Sequence, residues 1–171
     1  MEIDDRRGGA IRREAWRAAR EFPGRQREDR LVAIAERDIP AINGRLKAAG
    51  ASSVIAARLD AGDMHEDEAA EKLARALAGE GIDVTAPFTG RCNHFAREPG
   101  LAVVDQERID ALNELHESVT VATLAPFARV GPRQMVATVK IIPYAAPKEA
   151  VHRAIDVAKS ANRPLVSVKP F

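Results

Sequence analysis

Between residues 101 and 144 the hydrophobic period changes from strand-like to helical and back, so any fold for this chain must combine both kinds of element. "LAVVD" (101–105) is a short unbroken apolar run of the kind that forms a buried strand. In "DQERIDALNELH" (105–116), Ile109, Leu112 and Leu115 recur at helical spacing behind Asp105, whose short carboxylate can accept from the free N–H groups of a first turn. The composition then turns β-branched: "SVTVATLA" and "RQMVATVKIIPY" read as strands joined by a turn at Gly131-Pro132.

The alternation extends in both directions. "ERDIPAINGRLKAAG" places Ile39, Ile42 and Leu46 on one helical face and stops at Gly50, and "SVIAARL" (53–59) follows as a strand. "DMHEDEAAEKLARALAGEG" predicts a second helix, with Asp63 as N-cap, Glu66 three residues on, and Leu73 and Leu77 inward. "IDVTAPF" (82–88) reads as strand and loop. A last helix is expected from Pro147, with Val151, Ile155 and Ala158 inward, before the strand "PLVSVKPF". The order α, β, α, β, β, α, β, β, α, β predicts a mixed α/β (α+β) fold: one compact domain over residues 34–171, β-rich in its C-terminal half. Residues 1–33, with nine Arg and the only Trp, are set apart as an Arg-rich arm or short amphipathic helix. No internal repeat is visible.

Charge and cysteine usage narrow the function classes. Lys and Arg number 26 against 25 Asp and Glu, so no global field attracts nucleic acid or an anionic membrane, and a nucleic acid partner would have to read the local basic run from Arg6 to Arg27. The longest uncharged stretch, "SVTVATLAPFA", has eleven residues, well short of the roughly 20 that span a bilayer. The single Cys92 forbids an internal disulfide, and the N-terminus lacks an apolar signal core. These features together predict a soluble, cytoplasmic protein with no membrane partner.

Three groups of residues carry candidate chemistry. In "APFTGRCNHFAR" (86–97), Cys92 and His94 would share one strand face as a thiolate–imidazole pair, although a packed, inert cysteine is the commoner outcome. The same stretch offers an anion site: Gly90 permits close approach of a backbone N–H, Arg91 can bind phosphate through two parallel hydrogen bonds, and Asn93 stands beside them. Lys140, the one charge in an apolar run, falls at strand period with Val136 and Thr138. It reads either as an edge lysine that discourages strand addition or as a fourth anion ligand. Asp63, His65 and Asp67 would supply a cation site if gathered on a helix starting at Asp63, against the plainer role of first-turn acids that complement the helix dipole. No phosphate loop, dinucleotide fingerprint, Gly-x-Ser-x-Gly elbow or His-Glu-x-x-His pair is present.

Longer strings carry a resemblance. "ARLDAGDMHEDEAAEKLARAL", "PFTGRCNHFA", "GLAVVDQERIDALNELHESVTVATLAPFARV" and "QMVATVKIIPYAAP", in this order, are similar to the N-terminal region of a bacterial molybdopterin-binding protein family. The resemblance covers roughly residues 36–171, while the Arg-rich residues 1–33 depart from the β-rich start of that family. It implies a place in molybdenum cofactor maturation; together with the absence of any complete catalytic constellation, it leads to the expectation of a non-catalytic domain that positions or dimerises a molybdopterin-binding module and, in many members, a nucleotidyltransferase module similar to molybdenum cofactor cytidylyltransferases. Such fused proteins also carry the name 4-diphosphocytidyl-2C-methylerythritol synthase. On that resemblance the parent protein would use molybdopterin or molybdenum cofactor, CTP and Mg, none of them held by this region, and its partners would be the downstream modules or a second copy of the chain. The residues themselves leave open an alternative: a stand-alone enzyme or anion-binding domain, for phosphate or a pterin, built on Gly90, Arg91 and Asn93.

Overall fold

The computed structural model describes residues 3, 4, 54, 55 and 59–171. The chain divides into two compact units, Met1–Ala61 and Gly62–Phe171. In the first, β1 (Ile3–Asp4) pairs in parallel with β2 (Val54–Ile55), within the expected strand 53–59. The expected Arg-rich arm, its boundary after residue 33 and the expected helix over 36–50 lie outside the described residues.

The second unit is a mixed α/β domain in which alternating strands and amphipathic helices bury one common core. Its first strand, β3 (Asp63–His65), leads into α1 (Glu66–Leu77). Asp63 is therefore not the N-cap. That position belongs to His65, whose Nδ1 accepts from Asp67 N at 3.2 Å. Pairing overrides the capping preference here, because β3 lies antiparallel to a strand just before the last helix and Asp63 takes part in that ladder. Ala69, Ala70, Leu73, Ala74 and Leu77 form the buried stripe of α1, as the Leu73 and Leu77 spacing predicts.

Next come β4 (Ile82–Val84), β5 (Arg91–Ala96), β6 (Gly100–Val104) and α2 (Gln106–Asn113). Asp105 caps α2 as expected, its Oδ1 accepting from Arg108 N at 3.3 Å, and Ile109 and Leu112 are buried. The chain continues through β7 (Val119–Thr123), β8 (Arg129–Val130), β9 (Met135–Ile141) and β10 (Ala145–Pro147). It ends in α3 (Lys148–Lys159), with Pro147 one position earlier than the expected N1, and β11 (Val166–Pro170).

Four strands form an antiparallel sheet in the order β4-β5-β9-β7, and three form a second in the order β11-β6-β8. The inner face of the larger sheet packs under α1, which in turn packs on α3. Small residues on both helices, Ala70 and Ala74 on one and Ala150, Ala154 and Ala158 on the other, let them come close. The pairing of β3 with β10 sets the two helix starts side by side: Glu66 N donates to Tyr144 O at 3.1 Å and Lys148 N to Gly62 O at 2.8 Å.

Two expectations change with this topology. Residues 91–96, where strand geometry is expected only from the two-residue spacing of Cys92 and His94, form a central strand of the sheet. Their inward positions are Cys92, His94 and Ala96, which carry no β-branched signature. Lys140 lies on β9, paired on both sides, so it is not an edge lysine. Nor does Val136 share its face. The register slips by one residue where Phe95 meets Met135, and this bulge turns Val136 into the core while Thr138 and Lys140 stay outward.

Candidate functional site

The segment between β4 and β5 closes as a two-residue hairpin. Phe88 and Arg91 exchange both backbone hydrogen bonds, at 2.9 and 3.1 Å, and the two residues between them have positive φ: Thr89 at 47° and Gly90 at 70°. That is the type I′ pattern, whose twist matches the strands it joins. Gly90 is required for a second reason, since a Cβ there would stand 2.6 Å from the Ile141 carbonyl oxygen. Its N–H donates to Asp67 Oδ1 at 2.8 Å, and its carbonyl accepts from Ile141 N at 2.7 Å. The anion that Gly90 holds is thus the chain's own carboxylate from the first turn of α1, and the expected anion site narrows to side chains.

Those side chains lie on the outward face of the larger sheet. Arg91 stands directly across from Lys140, and Lys140 directly across from Thr120, in one row over three strands. Both cations are exposed, and among the described residues neither has an ion-pair or side-chain hydrogen-bond partner. The next row holds Asn93, Thr138 and Ala122. Thr138 Oγ1 donates to Asn93 Oδ1 at 2.8 Å and Asn93 N donates to Thr85 Oγ1 at 3.0 Å, so Asn93 is held in place by its neighbours. Arg91, Asn93 and Lys140, placed together by the sequence reading, do share one surface.

The inward face of the same strand holds the expected thiol and imidazole, and it silences both. Cys92 is fully buried and its Sγ donates to Thr85 O at 3.3 Å. Burial, reinforced by the carboxylate of Glu71, pushes the thiol up to about 11, so no thiolate forms at neutral pH. His94 is also 0% exposed, with Nε2 2.8 Å from Ala74 O in α1. Burial lowers its pKa below the ordinary value, while the hydrogen bond to the Ala74 carbonyl pulls the other way. The ring is neutral and fastens β5 to the helix above it. The two groups share a face as expected, yet each is tied to a backbone carbonyl and neither reaches solvent.

The acidic candidates are dispersed in role. Asp63 belongs to β3, His65 caps α1 through Nδ1, and Asp67 takes the Gly90 N–H. Among the described residues no group of three or more His, Cys, Asp or Glu side chains is gathered to hold a metal ion.

Two polar clusters escaped the sequence reading. Ser118, 2% exposed, places Oγ 2.5 Å from His116 Nδ1, which also accepts from Ser118 N at 3.2 Å. This His-x-Ser spacing is visible in the sequence, but the buried hydroxyl closes the turn into β7 and offers no surface nucleophile. Asp105, its side chain 8% exposed, receives Arg108 Nε at 2.9 Å and lies 2.6 Å from Arg163. Arg108 also donates to Ala158 O and Arg163 O, tying the start of α2 to the end of α3. Burial alone would raise the Asp105 pKa; hydrogen bonds from Arg108 and the charges of Arg108 and Arg163 outweigh it and hold the carboxyl below its usual value. Arg163 lies 58 residues beyond Asp105, so no local pattern announces this contact. No helix among the described residues is long and apolar enough to cross a membrane. Comparison with family models, with curated proteins and with solved structures returned no match.

Proposed function

We propose that the chain is a non-catalytic positioning domain in molybdenum cofactor maturation, one that holds a molybdopterin-binding module and a nucleotidyltransferase module in reach of each other. The observation that carries the non-catalytic part is the burial of Cys92 and His94, the residues best suited to nucleophilic or acid–base chemistry in the central stretch, each bonded to a backbone carbonyl. The setting rests on the similarity of the strings within residues 36–171 to the molybdopterin-binding family. In this reading molybdopterin, CTP and Mg belong to the partner modules, and the rigid sheet-and-helix body serves as the spacer between them.

Mixing provides the test. The chain is combined with a separately produced molybdopterin-binding domain and with a molybdenum cofactor cytidylyltransferase domain, and mass is followed by light scattering after gel filtration. A stable complex is expected, with no release of pyrophosphate from CTP by the chain alone in the presence of Mg and molybdenum cofactor. Turnover by the chain alone, or the absence of any complex, overturns the reading.

A further inference from the structure

The Arg91–Lys140 pair is costly as it stands. Like charges directly opposite on neighbouring strands repel, and neither side chain forms an ion pair with a carboxylate among the described residues. Strands lie about 4.8 Å apart, and both side chains are longer than that, so the guanidinium and ammonium can converge on one group placed above the row. Two positive charges match a dianion better than a carboxylate, and a phosphomonoester carries about −1.5 to −2 at neutral pH. The arginine fork suits two phosphate oxygens, the lysine supplies a point charge, and the Thr120 hydroxyl stands next in the row as a further donor.

The surroundings limit what else the ligand contains. Phe88 pairs with Arg91 across the hairpin, on the same face, and is 62% exposed; Ile142, two residues past Lys140, is 59% exposed. An apolar or planar body attached to the phosphate would cover both. A nucleic acid strand needs cations along a track, whereas the adjoining row of Asn93, Thr138 and Ala122 is uncharged. Beyond it, Arg97 is already committed to Asp83 at 2.6 Å. The positive surface is one row deep, enough for a single phosphate.

We propose that the outward face of the four-stranded sheet binds an organic phosphomonoester, its phosphate between Arg91 and Lys140 and its apolar body against Phe88 and Ile142. This site is independent of the positioning role: it gives the domain a small-molecule ligand of its own, whatever module it contacts. Phenyl phosphate and inorganic phosphate are the probes, titrated into the full chain by calorimetry at low salt. Phenyl phosphate should saturate one site. Arg91→Ala and Lys140→Ala should each weaken it by at least about tenfold, the loss expected for a charge-assisted hydrogen bond. Both residues are exposed, and circular dichroism verifies that the variants fold. Phe88→Ala should bring phenyl phosphate down to the affinity of inorganic phosphate, while Lys169→Ala, on the other sheet, should change nothing. The proposal is overturned by non-saturable binding of phenyl phosphate, by wild-type affinity in the Arg91 and Lys140 variants, or by equal affinity of the two probes for the wild-type chain. Preferential binding of an oligothymidylate, with affinity falling steeply in salt, would also overturn it. None of these outcomes bears on complex formation with the partner modules.

Discussion

Lys140 shows how much a single side chain's meaning depends on its neighbours. In sequence it is a charge interrupting an apolar strand; in the fold it is a cation held opposite another cation on a doubly paired strand. Lys140→Glu converts that repulsion into an attraction across the same pair. It should raise stability by about 0.2–1 kcal/mol, read from the urea midpoint, while abolishing phenyl phosphate binding. A fall in stability would mean that the lysine is compensated by contacts of its own. Cys92 provides the opposite case, a reactive residue type made inert by its place. Because burial and nearby carboxylates hold the thiol near 11, a thiol-directed reagent at neutral pH should modify the native chain very slowly and the urea-unfolded chain at once.

At the level of elements, the four-stranded sheet has to manage its outer strands, and β7 is one of them. The Asn113 side chain, at the end of α2, donates from Nδ2 to Val121 O at 2.9 Å and accepts Val121 N at Oδ1 at 2.8 Å. One amide thus fills a hydrogen-bonding position that a further strand would occupy. Asn113→Ala should cost about 1–2 kcal/mol for the two bonds, measured by denaturation, and should produce concentration-dependent self-association on gel filtration. A variant that stays monomeric at high concentration would show that the edge is protected by something other than this amide. The Asn113 role is not legible in "DALNELH", where the helical spacing runs on through Leu115 and the residue reads as one more helix position; its partner lies on the strand that follows a turn.

For the whole molecule, acid is the informative variable, because two buried groups lose protection in separate pH ranges. His94 has a pKa lowered from an ordinary 6.5, so the unfolded chain takes up a proton first. Its contribution is complete above that value and is lost as pH falls from there toward the folded-state pKa. Asp105 has a pKa lowered from an ordinary 3.8, so its contribution persists to more acidic solution and is lost only as pH falls from there through the folded-state value. Denaturation midpoints should therefore decline in two stages. His94→Leu should flatten the first stage and leave the second, and Asp105→Asn should do the reverse. An unchanged first stage in His94→Leu would assign the acid response to other groups.

What the sequence determined by itself is the set of elements with strong local signals. The α2 stripe of Ile109 and Leu112 behind its Asp105 cap, the α1 stripe of Leu73 and Leu77, and the β-branched strands β7 and β9 all announce themselves through periodicity, because each buries a continuous apolar face. Arg91, Asn93 and Lys140 were also legible as residues of interest, since charge and amide stand out against apolar surroundings. Only the tertiary structure decided that residues 91–96 are a central strand. The apolar positions of that strand are filled by Cys92, His94 and Ala96, which carry little strand preference and are buried through contact with α1 and β9. It alone decided that Asp67 occupies the Gly90 N–H, that Asp63 is paired in β3, and that Arg91 and Lys140 face each other. Each of these depends on register between segments distant in the chain, and register is set by packing, which no local window of sequence contains.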